Sequence, residues 1–230
     1  MPRMIPPFLL VAGVALAHSA CGRADGPPPA DQPAERAASA PLVLVVGTSL
    51  TAGLGLDPSE AYPALLQQKV DSAGLDFQIV NRGVSGETSA GARQRVDWLL
   101  RQPVAVLVLE TGANDGLRGL STDSLRANLE AIVQRAKAAH PAPAVLLLGM
   151  EAPPNLGPRY TAAFRQAYRD AARDLGVPLV PFLLTDVGGV DSLNQSDGIH
   201  PTAAGQRLVA NLVWQALLPI LQGAGRTEGG

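Results

Sequence analysis

From about residue 41 onward, short apolar runs alternate with longer amphipathic stretches, and this alternation restricts the possible folds more than any other feature of the sequence. The apolar runs lie at residues 42–46, 77–80, 104–109, 145–148 and 177–180. Continuous apolar runs are typical of strands that are buried on both faces. Strands that alternate with helices form a parallel sheet with helices on both sides. The sequence therefore predicts a three-layer α/β fold around a five-stranded parallel sheet.

The intervening stretches have the period of amphipathic helices. One of them aligns Leu125, Leu129, Ile132, Val133 and Ala136 on a single face. Ser121 or Thr122 is available as its N-cap. The last stretch aligns Leu208, Val209, Leu212, Val213, Ala216 and Leu217 in the same way. Pro63 is compatible with the first helix only within the first turn, where its missing N–H is not needed. These faces predict helices that pack on the sheet.

Composition sets the scale of the fold and excludes one class of partner. The chain has 230 residues, of which 47% are hydrophobic and 17% charged, and this suffices for one sizeable core. Its formal net charge is −2, and no block of basic residues is present. Nucleic acid binding needs clustered lysine and arginine to neutralise phosphates, so we expect no nucleic acid partner.

The N-terminal residues 1–20 have the form of an export signal. Arg3 supplies the positive end, and the apolar run 6–17 is too short to span a bilayer comfortably. Cys21 is the single cysteine of the chain, which excludes an internal disulfide. Its position just after the apolar run resembles the lipidated cysteine of bacterial lipoproteins, although His18 stands where that pattern has Leu or a similar residue. The alternative is ordinary signal cleavage, and both interpretations imply export to the periplasm.

The domain boundaries follow from composition. Residues 21–40 are rich in proline, alanine and acidic residues and predict a flexible tether, with the possible lipid anchor at Cys21. Residues 41–222 form the predicted folded domain. Residues 223–230 predict a disordered tail. We expect a monomer.

Polar residues follow the predicted strands at the points where chemistry collects in such sheets. Gly47, Thr48 and Ser49 come directly after the first run, Gly86 follows the second and Asn114 follows the third. In open parallel sheets, the carboxyl ends of the strands meet at one edge, where ligands bind. The sequence therefore predicts one polar site at this edge.

A serine and a histidine are the candidates for nucleophilic chemistry. Ser49 at a strand end would be exposed to a substrate, and its backbone N–H could face a developing oxyanion. A lone serine in this position is more often a helix cap. His200 is the only credible base, because His18 lies in the export signal and His140 precedes Pro141 at a predicted helix end. Pro201 is expected in the first turn of the last helix, which would hold the imidazole at the helix mouth.

Asp197 stands three residues before His200, a spacing that lets its carboxylate reach the imidazole Nδ1–H. The structural alternative is an Asx-turn beside Gly198. Asp186 and Asp191 are weaker candidates for the same role.

Together these segments resemble the SGNH or GDSL hydrolase superfamily, and within it the thioesterase I/lysophospholipase L1/arylesterase group. The resemblance covers residues 42–221 and is carried by segments 47–53, 85–89, 112–119 and 197–201. It implies a flavodoxin-like α/β/α sandwich and a serine hydrolase without metal or cofactor.

The resemblance also implies a role for each site residue. Ser49, Asp197 and His200 would form the catalytic triad. The backbone N–H groups of Ser49 and Gly86 and the side chain of Asn114 would form the oxyanion hole.

Three positions depart from the family pattern. Thr48 and Glu87 stand where the family usually has aspartate, and Ala113 stands where a second glycine is more common. None of these changes removes a triad or oxyanion group. Thr48 cannot supply a negative charge, so any electrostatic help from that aspartate is either absent or replaced.

The expected substrates are small-molecule aryl or lipid acyl esters, and thioesters are a second candidate class. The alternatives are a carbohydrate O-acetylesterase and a catalytically inactive module that binds a lipid. The loop at residues 151–159 should emerge on the side of Ser49. Leu156, its one large apolar residue, is the candidate contact for a substrate acyl chain.

Overall fold

The chain folds around a parallel sheet with flavodoxin-like strand order. A computed structural model describes residues 40–139 and 143–224. The strands are β1 (Leu42–Gly47), β2 (Gln78–Gly83), β3 (Val106–Glu110), β4 (Ala144–Leu148) and β5 (Leu179–Val180). All neighbours are parallel in the order β2-β1-β3-β4-β5. The predicted fold class is confirmed.

Helices cover both faces of the sheet. The α-helices are α1 (Ser49–Ala52), α2 (Tyr62–Ser72), α3 (Ser89–Leu99), α4 (Ala113–Leu117), α5 (Thr122–Ala139), α6 (Pro158–Leu175) and α7 (Ala203–Ala224). Short 3-10 helices occupy Pro58–Glu60, Pro154–Leu156 and Asp191–Leu193. α2 packs against α7, whereas α5 packs against both α3 and α6.

Not every strand is buried on both faces, contrary to the sequence prediction. β2 is an edge strand with only partial burial, and it continues past residue 80 through Asn81 and Arg82. A solvated face tolerates these polar side chains, which is why an apolar run did not mark them. β5 is shorter than the predicted run 177–180. Its strand consists of Leu179 and Val180 and begins after Pro178.

The amphipathic patterns predict most of the helix packing. The α5 face is fully buried, and Ser121 is the cap because its Oγ accepts the Ser124 N–H at 3.3 Å. Pro63 falls in the first turn of α2, where it is tolerated. In α7 the prediction is wrong for Leu208, which is 40% exposed, whereas Val209, Val213 and Leu217 are buried, as expected.

The helix α7 extends through Ala224, two residues beyond the predicted boundary at 222. Leu221 in its last turn is fully buried and continues the apolar face. The predicted export signal, Cys21, nearly all of the tether and residues 225–230 lie outside the described residues. In the described part of the chain, no helix is both long and apolar enough to cross a bilayer.

Candidate active site

Ser49 lies at the carboxyl edge of the sheet, as predicted, and is the first residue of α1. β1 ends at Gly47 and lies between β2 and β3, where the chain order across the sheet reverses. This is the position at which α/β sheets bind ligands. Ser49 is 9% exposed. The first N–H groups of a helix have no carbonyl partner within it, so the Ser49 N–H is available to a substrate.

The structure brings Ser49, His200 and Asp197 together in one hydrogen-bonded chain. His200 Nε2 lies 2.9 Å from Ser49 Oγ, across 151 residues of sequence, and His200 Nδ1 lies 2.6 Å from Asp197 Oδ2. A carboxylate only accepts hydrogen bonds, so Nδ1 carries the hydrogen. Nε2 is therefore unprotonated in the neutral ring and can accept the Ser49 hydroxyl hydrogen.

Asp197 forms both the turn and the imidazole contact, which the sequence offered as alternatives. Its Oδ1 accepts the N–H groups of His200 and Ile199, each at 3.0 Å. The N–H of His200, and then that of Ile199, lowers the pKa of Asp197 to about 2. Asp191 instead begins a 3-10 helix, and Asp186 adopts a left-handed conformation with φ 62°. His18 and His140 lie outside the described residues.

Pro201 lies outside the last helix, which corrects the sequence prediction. α7 begins at Ala203, and Pro201 instead forms an antiparallel bridge with Asn194. Thr202 Oγ1 accepts the Gly205 N–H at 3.3 Å in the manner of an N-cap. His200 therefore lies before the helix begins, and the bridge between Asn194 and Pro201 anchors the segment that carries it.

Two glutamine side chains, which the sequence did not predict, join the His200 segment to the Ser49 segment. Gln195 Nε2 donates to Leu54 O at 2.7 Å and to Pro201 O at 3.0 Å. Gln206, which is 2% exposed, donates to Leu50 O at 3.1 Å. These bonds connect parts of the chain that supply the nucleophile and the base.

Gly86 occupies the position of a tight turn that only glycine adopts readily. The Glu87 N–H closes the turn onto Val84 O at 3.2 Å, and Gly86 has φ +80°. The Gly86 N–H takes no part in that closing bond. Arg118 Nη2 donates to Gly86 O at 3.0 Å and holds the turn from the side of α4.

Asn114 lies against this same turn. Its Nδ2 donates to Glu87 O at 3.0 Å, and since a primary amide has two hydrogens, one remains for a ligand. Ala113, which replaces the more common glycine, begins α4 with ordinary backbone angles. Glu87, which replaces the usual aspartate, forms a two-bond ion pair with Arg95 at 2.6 and 2.7 Å. Both departures are compatible with the local structure.

Asp115 cross-links the segments that follow β2 and β3. It is 3% exposed and accepts the Ser89 N–H at 2.8 Å and the Ser89 O–H at 2.6 Å. Asn128 Nδ2 donates to Ser89 Oγ at 2.9 Å. The Gly86 turn, just before α3, and Asn114, just before Asp115, are therefore held in one network. The only feature of the sequence that pointed to Asp115 was its position next to the candidate Asn114.

A buried carboxylate lies beside the Ser49 segment, and the sequence did not predict it. Glu110 accepts hydrogen bonds from the Thr48 backbone and from the hydroxyls of Thr48 and Thr51. Burial raises the pKa of Glu110, and these bonds oppose the rise. Burial, followed by the Glu110 charge, raises the pKa of Tyr62 well above its ordinary value. The detectable signal was an acid directly after an apolar run.

Leu156 is partly buried in the 3-10 helix Pro154–Leu156 and packs against the core. Its Cδ2 lies 3.6 Å from where a Cβ at Gly119 would be, and Gly119 lies just after α4. The loop that carries Leu156 is therefore adjacent to the segment that carries Asn114.

Within residues 40–139 and 143–224, no cluster of three His, Cys, Asp or Glu side chains could hold a metal ion.

Comparison with known sequences identifies close relatives. Residues 45–208 match the GDSL-like Lipase/Acylhydrolase family. The chain is 45% identical to Esterase TesA of Pseudomonas aeruginosa over 80% of this chain and 91% of that protein. It is 39% identical to Thioesterase 1/protease 1/lysophospholipase L1 of Escherichia coli K12 over 81% of this chain and 88% of that protein.

Solved structures agree with the sequence matches. The crystal structure of TesA superposes with a TM-score of 0.75 at 45% identity, covering 78% of this chain and 99% of that one. The psychrotrophic esterase EstA from Pseudoalteromonas sp., inhibited by monoethylphosphonate, has a TM-score of 0.74 at 34% identity, with 79% and 98% covered. The resemblance deduced from the sequence is thus confirmed, and the chain belongs to the GDSL-like lipase/acylhydrolase family.

Proposed function

We propose that this chain hydrolyses carboxylic esters, and thioesters as well, through an acyl-enzyme formed on Ser49. The observation that carries the proposal is the chain of contacts from Asp197 Oδ2 through both ring nitrogens of His200 to Ser49 Oγ, at 2.6 and 2.9 Å. A serine hydroxyl becomes an effective nucleophile when an adjacent base takes its proton. The names of the relatives, which include an esterase, a thioesterase and an arylesterase, support the same chemistry.

In the first half-reaction, Ser49 Oγ attacks the acyl carbon while His200 Nε2 takes the hydroxyl proton. Asp197 stabilises the resulting imidazolium through Nδ1–H and does not itself become protonated. His200 then gives the Nε2 proton to the leaving alcohol or thiol as its bond to the acyl carbon breaks. In the second half-reaction, water attacks the acyl group, His200 takes the water proton, and Ser49 Oγ leaves and regains a hydrogen.

Three donors are proposed to stabilise the tetrahedral oxyanion: the N–H groups of Ser49 and Gly86 and the Asn114 side chain. The Ser49 N–H lies at a helix start, and the Gly86 N–H is not used to close its turn. One hydrogen of the Asn114 amide remains beside the bond to Glu87 O. Donors that are held in place before the reaction need no reorganisation when the charge develops, which is how they lower the barrier.

The direct test is Ser49→Ala together with a fluorophosphonate probe, which labels an activated serine covalently. We expect wild-type protein to be labelled and to hydrolyse p-nitrophenyl esters, whereas the folded alanine variant should do neither. Labelling that persists in the variant would assign the nucleophile to another residue.

For the substrate class, we propose aryl and lipid acyl esters whose acyl chain contacts Leu156. The support is the position of Leu156 beside Gly119, next to the segment of Asn114. A series of p-nitrophenyl esters of increasing acyl length should show kcat/KM rising and then levelling off. A preference for acetylated sugars over every acyl ester in the series would favour the O-acetylesterase alternative.

We also propose that residues 1–20 direct export to the periplasm and that Cys21 becomes lipidated. The support is the apolar run 6–17 after Arg3, with the single cysteine just beyond it. The membrane contact would then be limited to this anchor, and the folded domain would act as a monomer. Incorporation of labelled fatty acid into wild-type protein, and its loss in Cys21→Ser, is the expected result. Equal release of both proteins as soluble species would favour ordinary signal cleavage.

A further inference from the structure

We propose that Glu110 is a positioning residue for the nucleophile: its buried side chain holds the segment around Ser49 so that Oγ faces His200 Nε2. The inference rests on the proposed role of Ser49. Glu110 is the last residue of β3 and is fully buried. In the pairing of β1 with β3, Val46 lies opposite Leu109, so Glu110 lies beside the point where the chain leaves β1.

The contacts of the Glu110 carboxylate converge on the residues that flank Ser49. Its Oε2 accepts the Thr48 N–H at 2.7 Å and the Thr51 hydroxyl at 2.9 Å. The Thr48 hydroxyl lies 3.0 Å from both carboxylate oxygens. Thr51 Oγ1 is in turn 2.7 Å from the Tyr62 hydroxyl. One carboxylate therefore restrains the peptide before Ser49 and the side chain two residues after it.

The Ser49 segment needs such an external restraint. α1 has only four residues, and a single helical turn has little stability of its own. Thr48 occupies the N-cap position, but its side chain makes no cap bond and turns to Glu110 instead. A Cβ at Gly47 would overlap Thr51 Oγ1 and lie 2.7 Å from Glu110 Oε2. Glycine at this position is what allows the carboxylate and Thr51 to approach each other.

Burying a carboxyl group at this position is unfavourable for stability alone. The other residues of β3 are apolar and fully buried, and an apolar side chain in place of Glu110 would avoid the cost of desolvation. The donors to Glu110 are neutral groups, so no buried ion pair offsets that cost. The family's usual aspartate at position 48 would place a second carboxyl group against Glu110, and the two would share a proton. Thr48 donates instead.

The first test compares Glu110→Asp with wild type. The shorter side chain keeps the carboxyl group but withdraws it from Thr48 and Thr51. We expect kcat, and the rate of fluorophosphonate labelling, to fall by on the order of 10- to 100-fold, since small misplacements of a reacting group have effects of this size. KM should change by less than about threefold, because ground-state binding does not depend on the orientation of Oγ. Circular dichroism and thermal unfolding establish that the variant is folded.

A second pair of variants decides the question if Glu110→Asp does not fold. Thr51→Val removes one donor and keeps the shape, whereas Thr51→Ser keeps the hydroxyl. We expect lower kcat and slower labelling in the valine variant and near wild-type values in the serine variant. Thr111→Val is the matched control, because Thr111 is fully buried next to Glu110 and its hydroxyl has no hydrogen-bond partner among the described residues.

The outcomes separate this inference from the proposed function. If wild-type protein is labelled, and folded Glu110→Asp or Thr51→Val is labelled as fast as wild type with only a lower melting temperature, Glu110 is merely structural. If wild-type protein is neither labelled nor active, the proposed function itself fails. Slower labelling in Thr51→Val but not in Thr111→Val supports the positioning role.

Discussion

Replacing Asn114 with alanine measures how much the proposed hydrogen bond from its side-chain amide to the oxyanion contributes to catalysis. The Asn114 amide has two hydrogens, of which one is bonded to Glu87 O at 3.0 Å. The other is the proposed donor to the oxyanion. Alanine removes both, but the two losses appear in different measurements: the bond to Glu87 O exists before substrate binds, whereas the bond to the oxyanion forms only as charge develops.

The magnitudes follow from this division. Loss of one oxyanion donor should lower kcat by about 10²–10³-fold, or roughly 2.7–4 kcal/mol of transition-state stabilisation. KM should change far less, since the substrate carbonyl in the ground state gains little from the donor. Loss of the bond to Glu87 O should lower the free energy of unfolding by about 1 kcal/mol, the usual net value of a neutral hydrogen bond.

The assay is steady-state hydrolysis of a p-nitrophenyl ester under conditions where acylation limits the rate. Asn114→Asp serves as the companion variant, because it preserves shape but its carboxylate cannot donate. We expect it to lose at least as much activity as the alanine variant. Asn211→Ala, on the exposed side of α7, is the control that should leave kcat unchanged. An unchanged kcat in Asn114→Ala would show that Asn114 is only a loop residue.

Three further substitutions and a pH profile test the rest of the site. Asp197→Asn should abolish most turnover without unfolding the protein, since the imidazole loses its orienting acceptor; the same loss in Asp191→Asn instead would show that Asp191, and not Asp197, orients the imidazole. Because the pKa of Asp197 is lowered to about 2, Asp197 stays ionised as pH falls toward 3, and a pH profile of wild-type activity should show no step from protonation of Asp197. Leu156→Ala should reduce kcat/KM for octanoyl esters by about fourfold for each methylene that loses contact, at ~0.8 kcal/mol each, and spare acetyl esters; equal losses on both would contradict an acyl contact. Gln195→Ala removes both bonds to the loop carbonyls and should lower the free energy of unfolding by about 1–2 kcal/mol, as measured by urea denaturation against Gln68→Ala on the exposed side of α2.

The sheet could be predicted because its signal is local. Continuous apolar runs at β1, β3 and β4 follow from burial on both faces, and the structure has all three strands within two residues of the predicted bounds. β2 ran longer than predicted, since an edge strand is stabilised by backbone pairing while its side chains remain solvated. Periodicity failed for Leu208 because a helical face is wider than the contact that it makes with the sheet.

The reactive side chains could be predicted for a related reason. Topology brings the carboxyl ends of parallel strands to one edge, so Ser49, Gly86 and Asn114 had to lie near each other once the strands were identified. The spacing of Asp197 and His200 allowed their pairing and the family resemblance implied it, and the Asx-turn and the imidazole contact proved to be the same structure. The departure at Pro201 shows the limit of this reasoning, because a β-bridge to Asn194 outweighs the preference of proline for a first helical turn.

The residues that hold the reactive groups in place could not be predicted, since their roles depend on partners far away in sequence. Gln195 contacts Leu54 across 141 residues, and Glu110 contacts Thr48 across 62. Neither residue type signals such a contact by itself. Thr48 illustrates the consequence: considered alone, it lacks the charge of the usual aspartate, but its neighbour in space is a carboxylate that requires donors. A hydroxyl therefore suits this position well, and a carboxyl group remains next to the nucleophile segment although position 48 does not supply one.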